Sequence, residues 1–297
     1  MTPESAAVAD AVRVLSDSPD HRILTRLDRR AAYHAREADT PVRVALYVDV
    51  ETTGLGADAQ LIEFGAVRFS CDDTGRVYDV GPSFSEFNDP GAPIPEDITK
   101  ITGITDDDVR GHAVVWREVA PLFDGVSLVI AHNASFDRPV LERHLPEMPA
   151  LPWACSYSEV PWRYFGVEGG KLRHILADAC GVFYDAHRAL DDCFAGIHAL
   201  ATAKAFGAPA MRYLFDAASE TSARVWALGA PFSTKDVLKA RGYRWNDGSD
   251  GRPKSWYTDV PAANLEDERA WLLERAFLRH PKVEMMTARS RYSGRPG

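Results

Sequence analysis

The sequence predicts an α/β fold: a mixed sheet flanked by helices, with an N-terminal extension before it and a small α+β module after it. Three observations lead there. Residues 44–50, 61–69 and 77–87 are strand-like runs joined by turn signals, which reads as a meander. Strand and helix patterns then alternate from residue 126 to about 206, as strand–helix units on one sheet do. Beyond residue 222 the composition shifts, and two aromatic-rich strands flank Asp247-Gly248-Ser249-Asp250-Gly251 as a hairpin.

Taken in order, residues 1–20 place Ala6, Val8, Val12 and Leu15 at helical spacing up to the Asp17-Ser18-Pro19 break. Residues 21–27 alternate weakly as a strand, and 29–40 are polar and rich in arginine. Residues 1–40 are expected to be an extension packing on the main domain, which spans 41–207. Its first strand, 44–50, is apolar enough to be covered on both faces. Pro95-Glu96-Asp97 and Asp106 open short helices, 116–123 is helical, and 126–131 is a continuous apolar run suited to a central strand. A helix runs to about His144, followed by a short strand at 153–155, a helix at 172–180 and a long helix ending near Phe206-Gly207. Residues 208–222 form a connecting segment with a helix at 210–218 and a polar break at 219–222. The module at 223–297 holds a helix at 234–240, the hairpin and a helix at 265–278, and its tail from Ser290 is expected to be mobile.

Charge is unevenly shared. Residues 1–207 carry 19 Lys and Arg against 32 Asp and Glu, a net of −13; residues 208–297 carry 15 against 11, a net of +4. An acidic body argues against broad electrostatic grip on a long polyanion, although not against a polyanion end bound at a metal site. Cys71, Cys155, Cys180 and Cys193 lie far apart without CxxC spacing, so reduced thiols are expected rather than disulfides or a zinc site. With no signal pattern and no apolar run of membrane-spanning length, a cytoplasmic protein without membrane contact is expected.

The chemistry gathers at strand ends. Asp49 and Glu51 lie one residue apart at the end of the first strand, so alternation points both to one side. Two adjacent carboxylates repel unless a positive charge lies between them, and a hard divalent cation suits that place. Such a pair also occurs as a solvated strand end, so the other segments decide. Asp137 follows the central strand, and Asp192 lies on the last long helix, five residues after His187. Ligands in open α/β sheets bind beyond the strand ends, where these segments can converge. Four carboxylates in one pocket can hold two ions, Mg²⁺ or Mn²⁺, that activate water and stabilise a leaving oxygen. His187 offers a base whose unperturbed range is near neutrality.

Asp49-Val50-Glu51-Thr52-Thr53-Gly54, His132-Asn133-Ala134-Ser135-Phe136-Asp137 and His187-Arg188-Ala189-Leu190-Asp191-Asp192 resemble, in order, the three motifs of the DnaQ-like (DEDDh) 3′–5′ exonuclease family. Ile101-Thr102-Gly103-Ile104-Thr105 is similar to a further stretch of that family, and the resemblance covers about residues 44–205. It implies an RNase H-like mixed five-stranded sheet and a metal-dependent 3′–5′ exonuclease acting on single-stranded ends to release nucleoside 5′-monophosphates. It further implies Asp49, Glu51, Asp137 and Asp192 as ligands of two divalent ions, with Asp49 bridging both, and His187 as general base. Thr52, Thr53, Gly54 and Leu55 would touch the terminal nucleotide, with His132, Asn133 and Phe136 lining the same pocket. The tyrosine subclass carries Tyr four residues before the last aspartate; Arg188 stands there, which favours the histidine subclass. Asp191 lies one residue short of the family spacing and reads as a solvated or ion-paired acid. His132 also reads as a plain strand-end histidine, and Phe136 reads more readily as core.

In the C-terminal module Arg241, Tyr243, Arg244, Trp245, Lys254, Trp256 and Tyr257 interleave cations with aromatics, which suits stacking on single-stranded bases. A small domain filling its core with these aromatics is the plainer reading for most of them, and a protein partner is another. DNA is favoured slightly over RNA as substrate, with RNA or short-oligonucleotide processing as the alternative. A replicative proofreading subunit is expected to carry a clamp peptide beginning with glutamine. The only glutamine is Gln60, at the edge of a strand, which leans towards a stand-alone nuclease. A noncatalytic nucleic-acid-binding protein on the same fold is the remote reading, and loss of an acid or of the histidine would be its mark; all five are present.

Overall fold

The computed structural model describes residues 3–295 except 57, 147 and 250, with side chains from residue 7 onward. Helix α1 (Pro3–Ser16) and strand β1 (Thr25–Arg26) belong to the N-terminal segment. The central sheet takes β2 (Arg43–Thr52), β3 (Leu61–Cys71), β4 (Val77–Phe87), β5 (Val126–Ala131) and β6 (Trp153–Cys155) in the order β4-β3-β2-β5-β6. The meander β2–β3–β4 is antiparallel, whereas β2–β5 and β5–β6 are parallel, giving the expected mixed five-stranded sheet. Short helices α2 (Glu96–Thr102), α3 (Asp106–Val109) and α4 (Trp116–Val119) link β4 to β5, and α5 (Ala134–His144) links β5 to β6. Next come α6 (Leu172–Ile175), β7 (Val182–Phe183), α7 (Ala189–Thr202), the small pair β8 (Lys204–Ala205) and β9 (Ala208–Pro209), and α8 (Ala210–Ser219).

The two faces of the sheet have separate cores. Ala45 and Tyr47 of β2 pack with Val67 and Phe69 of β3 against Cys193, Ile197 and Leu200 of α7. The alternate residues Leu46, Val48 and Val50 face Val119, Val140, Leu141 and Trp153. Helix α7 lies close because two glycines leave room. A Cβ on Gly65 would stand 2.5 Å from the Ala189 carbonyl carbon, and one on Gly196 would stand 2.1 Å from the Tyr47 ring. Strand and helix backbones therefore meet where larger residues would hold them apart.

A second sheet, ordered β11-β12-β10-β13, is built from β10 (Ser222–Trp226), β11 (Arg244–Asn246), β12 (Ser255–Pro261) and β13 (Lys282–Met286), with α9 (Lys235–Ala240) and α10 (Leu265–Arg275). Val225, Leu238, Tyr243 and Leu272 form its core. The hairpin and both helices follow the sequence pattern, but β10 and β13 do not. The break after α8 is confined to residues 220–221, and an inner strand begins at Ser222, its buried Ala223 and Val225 alternating with Ser222 and Arg224.

Two other expectations are corrected. The tail is not mobile over residues 290–295: Arg138 of α5 donates to the carbonyls of Arg289 (2.7 Å) and Arg291 (2.6 Å), and Glu142 accepts from Ser293 Oγ and the Gly294 N–H, both at 2.9 Å. Arg138 and Glu142 are buried, so these contacts satisfy groups that would otherwise be stranded. Residues 172–180 are helical as expected, one α turn followed by a π turn. In the N-terminal extension, packing starts after α1, whose Val8, Val12 and Leu15 are exposed. β1 pairs with β7, and Arg22, Arg26 and Arg29 bind Asp178, Asp185 and Asp191. Asp191 is thus an ion-pair partner, tied down beside the third motif. No helix among the described residues is long and apolar enough to cross a membrane.

Candidate active site

Pairing of β2 with β3 sets Asp49 opposite Gly65 and Glu51 opposite Glu63, so the acids share the face that α7 covers. The first turns of α7 bring Asp192 over them. One carboxylate oxygen from each of Asp49, Glu51 and Asp192 lies within 4.8 Å of the others. Asp137 arrives from α5 on the opposite face and is not one of that trio. It is buried at the end of β2, where its Oδ1 accepts from the Val50 N–H at 3.2 Å.

Crowded carboxylates out of water hold their protons. Burial first, then Asp192 and Asp137, drives Asp49 well above the ordinary carboxylate range. Burial, with Asp192 and Glu63 behind it, pushes Glu51 up to about 8. Asp137 is pushed up to about 7 by burial, against the hydrogen bonds it accepts. Burial also raises Asp192, opposed by hydrogen bonds from Tyr184 O–H to Oδ1 and from the His187 (2.8 Å) and Arg188 (3.2 Å) N–H groups to Oδ2. A compact set of hard carboxylate oxygens, whose crowding a cation would relieve, fits Mg²⁺ or Mn²⁺.

His187 is exposed and sits at φ 70°, a left-handed conformation uncommon for a residue with a side chain. What holds it there is its neighbour. Arg188 donates from Nε (3.2 Å) and Nη2 (3.0 Å) to the buried Glu63 carboxylate, which also accepts the Ala189 N–H at 2.9 Å. Glu63 and Arg188 therefore pin the start of α7 to β3 and fix His187 beside Asp192. Sequence reasoning missed both, although a lone glutamate inside an apolar strand run was a usable signal. It also missed Tyr184, for which no pattern existed. Arg188→Ala is expected to lower stability by about 2–3 kcal/mol, less than the roughly 3–5 kcal/mol of a fully buried pair because Arg188 is partly hydrated. Thermal melting checks this, and Glu63→Gln in the same background is expected to recover most of the loss.

The turn after β2 has its own bonding. Thr52 Oγ1 donates to the Gly54 carbonyl (2.6 Å), and Thr53 pairs with Gln60 through two bonds of 2.8 and 2.9 Å. Leu55, 87% exposed, stands at the tip. From the second motif, Asn133 is exposed at the head of α5, and Phe136 is half-buried against the α5-side core. His132 is turned inward. Its Nε2–H donates to the Gly170 carbonyl (2.7 Å), and Nδ1 accepts from Ser156 Oγ (3.0 Å), which meets Tyr47 O–H at 2.9 Å. Burial lowers its pKa to about 4, so it is a neutral ring with both nitrogens engaged.

Strand-end carboxylates on a mixed sheet, a histidine beside them and the ordered motifs are the features of an exonuclease-type domain, and the clustered acids could hold a metal ion. A family model for exonuclease (RNase_T) domains matches residues 46–200, more than half of the chain, and the protein belongs to that DnaQ-like family. The DNA polymerase III PolC-type of Clostridium perfringens is 35% identical over 151 residues, 48% of this chain but 10% of that protein. The chain therefore aligns with only about a tenth of that polymerase's length. The uncharacterized exonuclease CP81 of Escherichia phage 186 is 31% identical over 169 residues, 50% of this chain and 81% of that protein. An E. coli exonuclease I–single-stranded DNA complex superposes with a TM-score of 0.53 at 16% identity, over 84% of this chain and 66% of that one, a likeness of fold.

Proposed function

We propose that this chain is a metal-dependent 3′–5′ exonuclease that hydrolyses the terminal phosphodiester of single-stranded nucleic acid, DNA in preference to RNA, to nucleoside 5′-monophosphates. The observation that carries this reading is the meeting of Asp49, Glu51 and Asp192 within 4.8 Å, with Asp137 against the same strand end. Residues 41–207 would form the catalytic unit. These four acids would hold two divalent ions, which supply Lewis acidity at the scissile phosphate and at the attacking water.

The remaining work falls to the chain itself. His187 takes the proton of the attacking water on a ring nitrogen, its backbone held by Asp192 and the Arg188–Glu63 pair. The turn of Thr52, Thr53, Gly54 and Leu55 receives the terminal nucleotide. The Thr52 and Thr53 hydroxyls are engaged within the turn, so backbone groups and the exposed Leu55 make that surface. Asn133 contributes from the rim and Phe136 from behind it. His132 supports the pocket through Gly170 and Ser156 rather than by touching substrate.

The preference for DNA draws support from the DNA polymerase III PolC-type relatives, one of which is 35% identical over 151 residues. Digesting matched DNA and RNA oligonucleotides bearing a 3′ label, with Mg²⁺, Mn²⁺ or chelator, tests both parts. Metal-dependent release of labelled mononucleotide, faster from DNA, is expected. Faster release from RNA would overturn the preference, and no release from either strand would overturn the activity.

A further inference from the structure

The molecule has a cleft of about 750 Å³, walled by residues of the second motif on one side and by the C-terminal sheet on the other. Asn133, Ser135 and Tyr157 line the first wall, and Arg224, Arg244 and Tyr257 the second. Tyr157 is 51% exposed and rooted in the site: its N–H donates to the His132 carbonyl, and its ring meets the His132 ring edge-on at 5.7 Å. On the opposite wall the Arg224 and Arg244 guanidinium carbons lie 4.9 and 5.0 Å from the centre of the Tyr257 ring.

Charge in that wall is not balanced. Asp259 is held by Arg224 through two bonds of 2.7 and 2.8 Å, and its remaining contact with Arg244 is 3.4 Å long. One carboxylate thus serves two guanidinium groups, and Arg244, with 63% of its side chain exposed, presents the surplus to the cleft. Arg291, which also lines the cleft, is paired with Glu159, so it adds no free charge of its own. Arg291 is itself buried, and its Nε has no partner. An excess cation on an aromatic face, with a second aromatic across a wet cleft, is the chemistry that holds single-stranded nucleic acid without reading its sequence.

We propose that this cleft is a strand subsite, holding the nucleotides on the 5′ side of the scissile one, with bases against Tyr257 and Tyr157 and a phosphate on Arg244. This deepens, and rests on, the exonuclease reading. Asn133 gives the subsite continuity with the reaction centre, because it lines the cleft and heads the helix that carries Asp137. The C-terminal sheet then serves as the second jaw on the strand, giving its net of +4 a use beside a body of −13.

Deleting the module is a poor test, since its tail satisfies the buried Arg138 and Glu142. Arg244→Glu changes an exposed side chain and is expected to leave the fold intact. Fluorescence anisotropy of a labelled twelve-nucleotide oligothymidylate, in chelator so that nothing is cleaved, should show affinity falling about tenfold or more, and the slope of log affinity against log salt shrinking by about one. Hydrolysis of the p-nitrophenyl ester of thymidine 5′-monophosphate, which occupies the terminal position alone, should be unchanged. Unaltered oligonucleotide affinity in Arg244→Glu would overturn the subsite. So would a cleft that binds an acidic peptide but not the oligonucleotide. Failure of the wild-type protein to cleave either substrate would count against the exonuclease reading instead, while the anisotropy still decides the subsite.

Discussion

Asp49→Asn is expected to abolish hydrolysis while making the metal-free protein more stable at pH 8. Asp49 lies among Glu51, Asp137 and Asp192, and burial together with repulsion from neighbouring acids raises the proton affinities of Asp49, Glu51 and Asp137. The direction with pH follows from Glu51. Its folded pKa is about 8 against an ordinary value of 4.5, so between those limits the folded protein holds a proton that the unfolded chain has released. The associated stability is fully present below pH 4.5 and is lost as pH rises through 8, on the order of a few kcal/mol. Asparagine is neutral without taking up a proton, so the substitution removes Asp49's own share of that penalty. Divalent metal relieves it differently: it should raise the melting temperature of the wild-type protein at pH 8 and lose most of that effect on Asp49→Asn. Turnover should fall at least ~10³-fold. Calorimetric melting at several pH values, with Mn²⁺ or chelator, checks the stability claims. Equal metal response in both proteins would mean that Asp49 holds no ion.

His187→Asn is expected to reduce kcat by roughly 10²–10⁴-fold without weakening the metal-dependent rise in melting temperature. Asparagine is the useful replacement because it tolerates the left-handed backbone that His187 adopts at φ 70°, so the loop and its bonds to Asp192 survive. The loss then belongs to the missing base. Single-turnover rates alongside thermal shifts with Mn²⁺ separate the two effects. A variant that keeps its rate would remove His187 from the chemistry, and one that loses its metal response would make it a support for the ligands instead.

Much of this arrangement was legible in the sequence for a local reason. The period-two pattern of residues 44–50 fixes which side Asp49 and Glu51 take, and the five-residue spacing from His187 to Asp192 fixes the head of α7. The family resemblance supplied the mixed five-stranded sheet that local pattern cannot. What escaped was decided by long-range partners. Glu63 meets Arg188 across 125 positions, and Arg138 meets the tail across more than 150, so neither segment's own pattern reveals the contact. The tail looked mobile because it is short and polar, yet its backbone carbonyls satisfy a buried arginine. β10 was passed over because no strand was read after the polar break at 219–222, whereas Ala223 and Val225 are buried between two strands. The inward turn of His132 likewise depends on Gly170 and Ser156, which no spacing rule ties to it.

The most direct test of the central claim is a time course with a single-stranded oligonucleotide labelled at its 5′ end, with Mn²⁺ and with chelator, resolving both the shortened strands and the released products. A ladder that shortens one nucleotide at a time from the 3′ end, releases nucleoside 5′-monophosphates, and stops on chelation or with Asp49→Asn is the predicted result. Internal cuts, shortening from the 5′ end, or degradation that continues without metal would contradict it.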